Sequence, residues 1–349
     1  ELCMKNRNGA LDILKFFFAV EVVFYHGDFG ENHFRSGYLA TDFFFIVTGI
    51  LFARTAMRYQ VPDAEIGKDT ASFMKRKILN LMPNYYVAWV ICFVIRQIHD
   101  QCGLRQSMVN FSKSYGELLL VSSTGMKDYM VNGPMWYISS MLFALLLLYP
   151  LAKKLKENFL YLAAPILFFF LMGFTFQNYE ALYQDNRYGI CSGTILRAVM
   201  MISLGCICYK IGEKLAARTF SKGERIAISV AELVIYLMIF GYMDVAERTN
   251  KLSWLLIYLM GAGATLTYSK AGYLTEYLDG NVATFLGEYS YNCYLAHWAM
   301  LQLVYSITWL THAQKGVIYL VASAANALFV MYVSKGLRVG WKKLRGQRV

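Results

Sequence analysis

Three ionisable side chains near the start of the chain, Lys15, His26 and Asp42, lie within or beside apolar segments. A charge inside a membrane helix loses its hydration, so a residue of this kind is usually kept for a function. On a helix, the 11-residue step from Lys15 to His26 turns through about 1100°, which places both on one stripe about 16 Å apart. A cation near a membrane surface and a deeper imidazole would suit a long anionic ligand whose reactive end reaches inward.

His26 ends the first apolar segment and is a candidate general base or acid, because the unperturbed pKa of imidazole is closest to neutral. A histidine at the membrane interface, hydrated by water, is the alternative. A neighbouring carboxylate would hold the tautomer of the ring and raise its basicity, and Asp42 is the candidate for that carboxylate.

A second histidine, His297, lies in the middle of a late apolar segment, with Ser290 about two helical turns before it. His297 fits either a catalytic role or a structural hydrogen bond between helices. Together with Glu288, these residues are expected to line an internal polar cavity. No Gly-x-Ser-x-Gly elbow and no activated cysteine are present, so a covalent intermediate on the protein is not indicated. The seven cysteines have no metal-ligand spacing, and no metal site is expected.

The composition is that of a membrane protein. Of the 349 residues, 57% are hydrophobic and only 16% are charged, whereas a soluble domain has roughly 25% charged residues. The apolar residues recur over the whole chain, so the sequence predicts an all-α, polytopic helix bundle with about ten transmembrane helices. The predicted spans are 11–26, 38–53, 83–98, 134–152, 158–175, 192–209, 226–243, 252–268, 286–308 and 316–334.

The basic residues predict how the bundle is oriented. When the ten spans are threaded, 23 of the 34 lysines and arginines fall on one side, and nine fall on the other. By the positive-inside rule, the richer side is cytoplasmic, and both termini lie there. The net charge of +11 is thereby explained by orientation, and no nucleic-acid partner is expected. We expect one membrane domain over 1–349, with a basic cytoplasmic tail at about 335–349, in the cytoplasmic (inner) membrane.

Three connections carry further expectations. The cytoplasmic connection 54–82 leads into Pro83, which suits the first turn of the third span. In the long outer connection, the apolar stretch 115–121 is too short to cross, so a surface or re-entrant segment is expected. The outer loop at about 176–191 is rich in tyrosine, which fits either anchoring at the interface or contact with a sugar.

Five motifs in order resemble the acyltransferase 3 family of membrane acyl-CoA-dependent acyltransferases. Lys15-(ten residues)-His26 resembles the first-helix signature Arg-(ten residues)-His, and Asp42-Phe-Phe-Phe-Ile-Val-Thr-Gly resembles the next motif. The remaining likenesses are the basic stretch from Phe73 to Pro83, the aromatic pair Trp136-Tyr137, and the segment from Gly287 to His297. The resemblance covers about 7–340. Lysine stands where the family has arginine, and it keeps the charge but loses the bidentate fork.

The resemblance implies an enzyme that uses cytoplasmic acyl-CoA, usually acetyl-CoA, as co-substrate. The acceptor would be a hydroxyl of a cell-surface or lipid-linked carbohydrate, and His26 would be the general base. On the inner side, CoA phosphates would bind near four basic residues: Lys15, Lys75, Arg76 and Lys77. The catalytic set would be His26, Asp42 and His297, and the substrate-binding set would be Trp136, Tyr137, Glu288 and Ser290.

The alternative function is a transporter or sensor-type membrane domain for small polar molecules, in which the buried charges would form a permeation path. Transporters often have inverted repeats with broken helices in paired halves. The sequence has no such repeat, which favours the enzyme.

Overall fold

The structure is a computed structural model, and it describes residues 7–27, 29, 33–126, 128–178, 187–188, 191–247 and 251–344. Within these ranges the fold is helical, apart from one two-residue strand pair, β1 (Arg187–Tyr188) with β2 (Cys191–Ser192). The helices are α1 (Gly9–His26), α2 (Ala40–Met57), α3 (Ile66–His99), α4 (Leu104–Lys113), α5 (Tyr115–Leu118), α6 (Trp136–Leu155), α7 (Ala164–Asn178), α8 (Gly193–Ala216), α9 (Lys222–Val245), α10 (Ser253–Ser269), α11 (Leu274–Tyr277), α12 (Asn281–Tyr305) and α13 (His312–Leu344).

Every predicted span coincides with one of the long helices. Seven of these helices are long and apolar enough to cross a membrane, by length and composition: α2, α3, α6, the α7 segment from Phe159, α8, α9 and α13. The other three are α1, which carries Asp12, Lys15 and Glu21 within 18 residues, α10, which has 17 residues, and α12. The protein is therefore a polytopic helical membrane protein.

Contacts between neighbouring helices show the direction in which each one runs. One group contains α1, α3, α7, α9 and α12, and the opposite group contains α2, α6, α8, α10 and α13. The parallel contacts join α1 to α12 (Asp12–Gly287 and His26–His297), α3 to α12 (Asn84–Asn292 and Cys92–Gln302) and α2 to α8 (Asp42–Arg197 and Gly49–Gly205). The antiparallel contacts join α1 to α2 and the turn before it (Phe18–Phe43 and Tyr25–Tyr38), α12 to α13 (Glu288–Lys335 and Tyr305–Tyr319) and α7 to α10 (Phe168–Tyr258 and Phe176–Trp254). Consecutive long helices thus alternate in direction along the chain.

Two glycines allow α2 and α8 to approach backbone to backbone. A Cβ atom at Gly49 would lie 2.2 Å from the carbonyl oxygen of Ile202, and one at Gly205 would lie 2.1 Å from that of Ile46. Small residues permit this spacing in membrane helices, where van der Waals contact replaces the hydrophobic effect between helices. The approach brings the N-terminal turns of α2 and α8 together.

Pro83 lies inside α3, so the prediction that it stands in the first turn of its helix is wrong. The helix is continuous from Ile66 to His99, so much of the connection predicted at 54–82 is helical. Proline removes one backbone donor from a helix interior. The bond lost is the one to the carbonyl of Leu79, and in the same turn Arg338 of α13 donates to the next carbonyl, that of Asn80, at 2.8 Å.

The connection between α3 and α6 contains the short helices α4 and α5, and the stretch 115–121 does not cross, as predicted. Gly116 and Glu117 of α5 are buried, so the segment folds back into the bundle. Most of the tyrosine-rich loop at 176–191, including Tyr179 and Tyr183, lies outside the described residues, as do the last five residues of the basic tail.

Candidate active site

A cavity of about 200 Å³ lies between α1, α2, α3, α6 and α12. Its wall is mostly apolar and aromatic, with two amines and two kinds of hydroxyl. The lining residues are Lys15, Phe44, Val47, Thr48, Leu51, Lys77, Leu81, Tyr137, Ile138, Met141, Gly287, Ser290, Tyr291 and Tyr294. A mostly apolar cavity with two amines on its wall suits a flexible ligand that carries anionic groups at one end.

Two of the four predicted phosphate-binding residues, Lys15 and Lys77, reach this cavity. Lys15 also pairs with Asp12 at 2.5 Å, and Asp12 in turn bonds to Arg7. The carboxylate therefore holds Lys15 in place without leaving a buried charge unpaired. Gly287 makes room for this network, because a Cβ atom there would lie 2.5 Å from Cγ of Asp12.

Lys75 and Arg76 are exposed, on the part of α3 that precedes the cavity. Glu288, predicted to bind substrate, does not line the cavity. Its carboxylate lies 2.8 Å from the amine of Lys335 and 3.8 Å from the guanidinium of Arg7. Glu288 thus links α12 to α13 and to the start of α1 at the basic end of the site.

The two histidines named from the sequence contact each other at the far end of α1. Nε2 of His297 lies 3.3 Å from Nδ1 of His26, and the ring centroids are 5.1 Å apart. His297 is fully buried, whereas His26 is half-buried. The pairing arises because α1 and α12 run parallel, so the last residue of α1 reaches the level of the middle of α12.

Backbone carbonyls determine which ring nitrogen of each histidine carries a proton. The carbonyl of Val22 lies 2.8 Å from Nδ1 of His26, and the carbonyl of Cys293 lies 3.2 Å from Nδ1 of His297. A carbonyl only accepts, so each Nδ1 carries the proton. His26 Nδ1–H then also points at the acceptor Nε2 of His297, and the lone pair of His26 is on its own Nε2. This is the arrangement that a general base requires.

Aromatic rings join the cavity to the histidine pair. The centroid of Tyr294, a lining residue, lies 6.2 Å from that of His297, and its hydroxyl donates to the carbonyl of Pro134 at 2.7 Å. On the other side, the ring of Trp298 stands edge-on to His26 at 5.2 Å. Gly133 accommodates that indole, since a Cβ atom there would lie 3.0 Å from it.

The structure corrects the predicted partner of Asp42. Its two carboxylate oxygens each accept a 2.7 Å hydrogen bond from Arg197 of α8, and both side chains are buried. Arg197 also donates to Thr41 at 3.2 Å. The close approach of α2 and α8 turns Asp42 towards Arg197 and away from His26. Another buried carboxylate, that of Glu232 near the middle of α9, accepts from Thr267.

The predicted aromatic pair divides between two places. Tyr137 lines the cavity and packs on Phe45 at a centroid distance of 4.3 Å. Trp136 lies 5.8 Å from the guanidinium of Arg197 and is absent from the cavity wall. Ser290 lines the cavity, and its hydroxyl donates to the carbonyl of Gly287 at 2.9 Å.

Sequence reasoning missed a polar junction next to the cavity. Asn84 donates to Asn292 at 2.6 Å, and Arg338 donates to Asn84 at 2.5 Å. The two asparagines are buried and join α3 to α12, while Arg338 brings in α13. The only signal for this junction in the sequence is the presence of two amides in apolar segments. An amide in an apolar segment is a weaker indication of a functional site than a charged residue is.

The comparisons with known proteins agree with this geometry. The model of the acyltransferase 3 family, described as an acyltransferase domain, matches residues 8–335, which is nearly the whole chain. No curated protein and no solved structure matches. Because the family match includes all five helices around the cavity and both histidines, the chain belongs to the acyltransferase 3 family, and it is a membrane acyltransferase.

Proposed function

We propose that the enzyme moves an acyl group, most simply acetyl, from cytoplasmic acyl-CoA to a hydroxyl of a cell-surface or lipid-linked carbohydrate. One observation carries the proposal. On the parallel helices α1 and α12, an amine-bearing cavity and a histidine pair occur at two successive levels. From Lys15 to His26, the axial step is about 16 Å, so a donor can bind at one level and react at the other.

The proposed topology is ten membrane spans in the cytoplasmic membrane, with both termini cytoplasmic and the chain forming one membrane domain. The alternating directions of the ten long helices support this count. If α1, α10 and α12 cross in addition to the seven helices that meet the length and composition requirement, each crossing reverses the last. The bias of lysine and arginine then puts the amine-lined end of the cavity on the inner side.

The donor would enter at the basic end. Lys15 and Lys77 would bind phosphate groups of CoA inside the cavity, with Lys75 and Arg76 contributing long-range attraction from the exposed face of α3. The pantetheine arm would follow the apolar wall past Thr48 and Met141 towards Tyr294. This route places the thioester at the level of the histidine pair.

His26 would act as the base. Its Nε2 takes the proton of the acceptor hydroxyl as the hydroxyl oxygen attacks the thioester carbon. When the tetrahedral intermediate collapses, the C–S bond breaks, and the imidazolium returns the proton to the CoA thiolate. His297 accepts from His26 Nδ1–H throughout and stabilises the imidazolium, the role that a carboxylate has in other triads.

The test measures acyl transfer by purified protein that has been reconstituted into vesicles containing the native acceptor glycans. With labelled acetyl-CoA, His26→Ala is expected to lower the rate by about 10²–10⁴-fold, the usual contribution of a general base. His33→Ala is the matched control, because His33 is an exposed histidine of the outer side that contacts Asp244, and its rate should stay within about twofold. Full activity of a folded His26→Ala protein would remove His26 from the mechanism.

A further inference from the structure

A second cavity lies away from the active site, where α8 and α10 end and α9 begins. Its volume is about 280 Å³, and its wall is polar and charged where that of the first cavity is apolar. The lining residues are Leu215, Ala216, Arg218, Thr219, Phe220, Arg225, Ser269, Lys270, Ala271 and Glu276. By the topology proposed above, this cavity opens at the cytoplasmic surface of the membrane.

Three cationic side chains and one carboxylate line the cavity, and the other two carboxylates that pair with these cations, Glu224 and Asp279, lie outside its wall. Arg225 is the most firmly held. It donates to the carbonyls of Ala271 and Gly272 and to Glu276, and its guanidinium lies 4.1 Å from the ring centroid of Tyr273. This arginine is therefore positioned before any ligand arrives, which lowers the entropy cost of binding.

The other two cations, Arg218 and Lys270, are more exposed. Arg218 pairs with Glu224 at 3.0 Å and Lys270 pairs with Asp279 at 2.7 Å, but their side chains remain 63% and 42% exposed. Exposed ion pairs of this kind contribute only about 0–1 kcal/mol each. Both side chains can therefore turn from their partners to an anion in the cavity at little cost.

Capping of helix ends explains only part of this arrangement. The carbonyls at the C-termini of α8 and α10 attract cations, and the bonds of Arg225 to Ala271 and Gly272 serve that purpose. Capping does not account for Arg218 and Lys270 facing a shared polar space. A phosphate group would satisfy all three cations at once, through charge-assisted hydrogen bonds.

The adjoining surface of α9 indicates what the phosphate is attached to. Directly after Arg225, this helix exposes an apolar stripe at the spacing of one helix face: Ile226, Val230, Leu233 and Leu237. In a membrane protein such a face is covered by acyl chains of lipid. A molecule with an anionic headgroup and acyl chains would occupy the cavity and the stripe together.

We infer that this cavity binds the phosphate headgroup of an anionic phospholipid from the cytoplasmic leaflet. The lipid joins α8, α9 and α10 at their cytoplasmic ends, and its acyl chains lie along α9. The inference uses the membrane topology but not the acyl-transfer mechanism, so either can fail without the other.

The experiment measures how many lipid molecules stay bound to the purified protein. The purified protein in detergent is titrated with phosphatidylglycerol or with phosphatidylcholine of the same chains, and bound lipid is measured by native mass spectrometry. The test variant is Arg218→Gln with Lys270→Gln. The matched control is Lys214→Gln with Lys222→Gln, which removes the same charge from exposed residues of the same region that do not line the cavity.

We expect the protein to retain phosphatidylglycerol in preference to phosphatidylcholine, and the test variant to weaken that retention at least about tenfold, the value of one lost charged hydrogen bond. The control variant should stay within about twofold of the parent. Equal losses in both variants would show a diffuse charge effect and overturn the site. Displacement of the lipid by glycerol 3-phosphate at matched concentration would overturn the lipid assignment, because a soluble phosphate would then suffice.

Discussion

Nε2 of His297 lies 3.3 Å from Nδ1 of His26, although 271 residues separate the two in the chain. Since Val22 and Cys293 determine the tautomers, His297 is an acceptor for His26. The pair lies next to Tyr294, a residue of the cavity wall, whose ring centroid is 6.2 Å from that of His297. In this arrangement the second histidine is a positioning residue for the first.

The acceptor role of His297 leads to the first prediction. His297→Leu removes the acceptor and is expected to lower kcat by about 10–100-fold, the usual cost of losing a partner that orients a functional histidine. KM for acyl-CoA should change little, because His297 is absent from the wall of the donor cavity. His297→Gln keeps an acceptor at a similar reach and should recover most of kcat. If both variants were equally slow, His297 would have a packing role only.

The two amines of the cavity lead to the second prediction. Lys77→Gln and Lys15→Ala should each raise KM for acyl-CoA about tenfold or more, since a hydrogen bond to a charged group contributes roughly 1.5–3 kcal/mol. KM for the acceptor should stay nearly constant. The measurement is initial rate against acyl-CoA concentration at saturating acceptor.

Arg76→Gln provides the control for these lysine variants. Arg76 is adjacent to Lys77 but exposed, so its loss should raise KM for acyl-CoA by less than about threefold, the range of surface electrostatics. A larger effect of Arg76 than of Lys77 would place the phosphate groups on the outer face of α3 and outside the cavity.

The third prediction concerns Asp42 and Arg197. Removing one partner of a buried ion pair typically costs about 3–5 kcal/mol, because the other charge is left unpaired. Asp42→Asn and Arg197→Met should therefore each lower the thermal unfolding midpoint sharply, and the double variant Asp42→Leu with Arg197→Met should be less destabilised than either. An Asp42→Asn protein with normal stability and no activity would instead give the carboxylate a role in the chemistry.

The fourth prediction tests the close packing of α2 and α8. Gly205→Ala would place a Cβ atom 2.1 Å from the carbonyl oxygen of Ile46, so the helices must separate, and we expect a clear loss of thermal stability of about 1–3 kcal/mol or more. Gly173→Ala is the matched control, since α7 has open space at that position. Alanine there should be neutral or slightly stabilising. Equal behaviour of the two variants would contradict the backbone contact.

The fifth prediction concerns pH and Glu117, in the segment between α3 and α6. Burial raises the pKa of this carboxyl to about 7. Hydrogen bonds from Val131, Trp89 and Asn132 and the charge of Arg96 lower the pKa, but by less than burial raises it. The folded protein therefore holds a proton that the unfolded chain releases near its ordinary pKa of 4.5. Stability from this group falls as pH rises from about 4.5 to 7 and then levels off.

The shift corresponds to a contribution of at most about 3 kcal/mol, at 1.36 kcal/mol per pKa unit. Thermal unfolding in detergent between pH 4.5 and pH 8 measures it. Glu117→Gln cannot titrate and should flatten the pH dependence over this interval. If the parent and Glu117→Gln lost stability in parallel, another group would be responsible.

The sequence was sufficient for the elements of this fold and for the family to which the chain belongs. All ten apolar spans became long helices, because runs of apolar side chains with few charges have a single stable form in a membrane, in which each backbone group is bonded within its own helix. Lys15 and His26 could be placed on one stripe because both belong to α1, where spacing along the chain determines direction in space. For the same reason, Ser290 was correctly placed facing the interior.

Spacing along the chain could not predict which side chains of different helices contact each other. Asp42 was matched to His26 because the two are neighbours in the chain, but its partner Arg197 is 155 residues away, on a helix brought close by Gly49 and Gly205. Glu288 lies two residues before the lining residue Ser290, yet it faces Lys335 outside the cavity.

Sequence alone therefore determined which residues are costly to bury, and the tertiary structure decided which of them pair with one another. A helix is defined by bonds within a few residues of chain, whereas an ion pair or a histidine contact depends on how separate helices rotate and pack against one another.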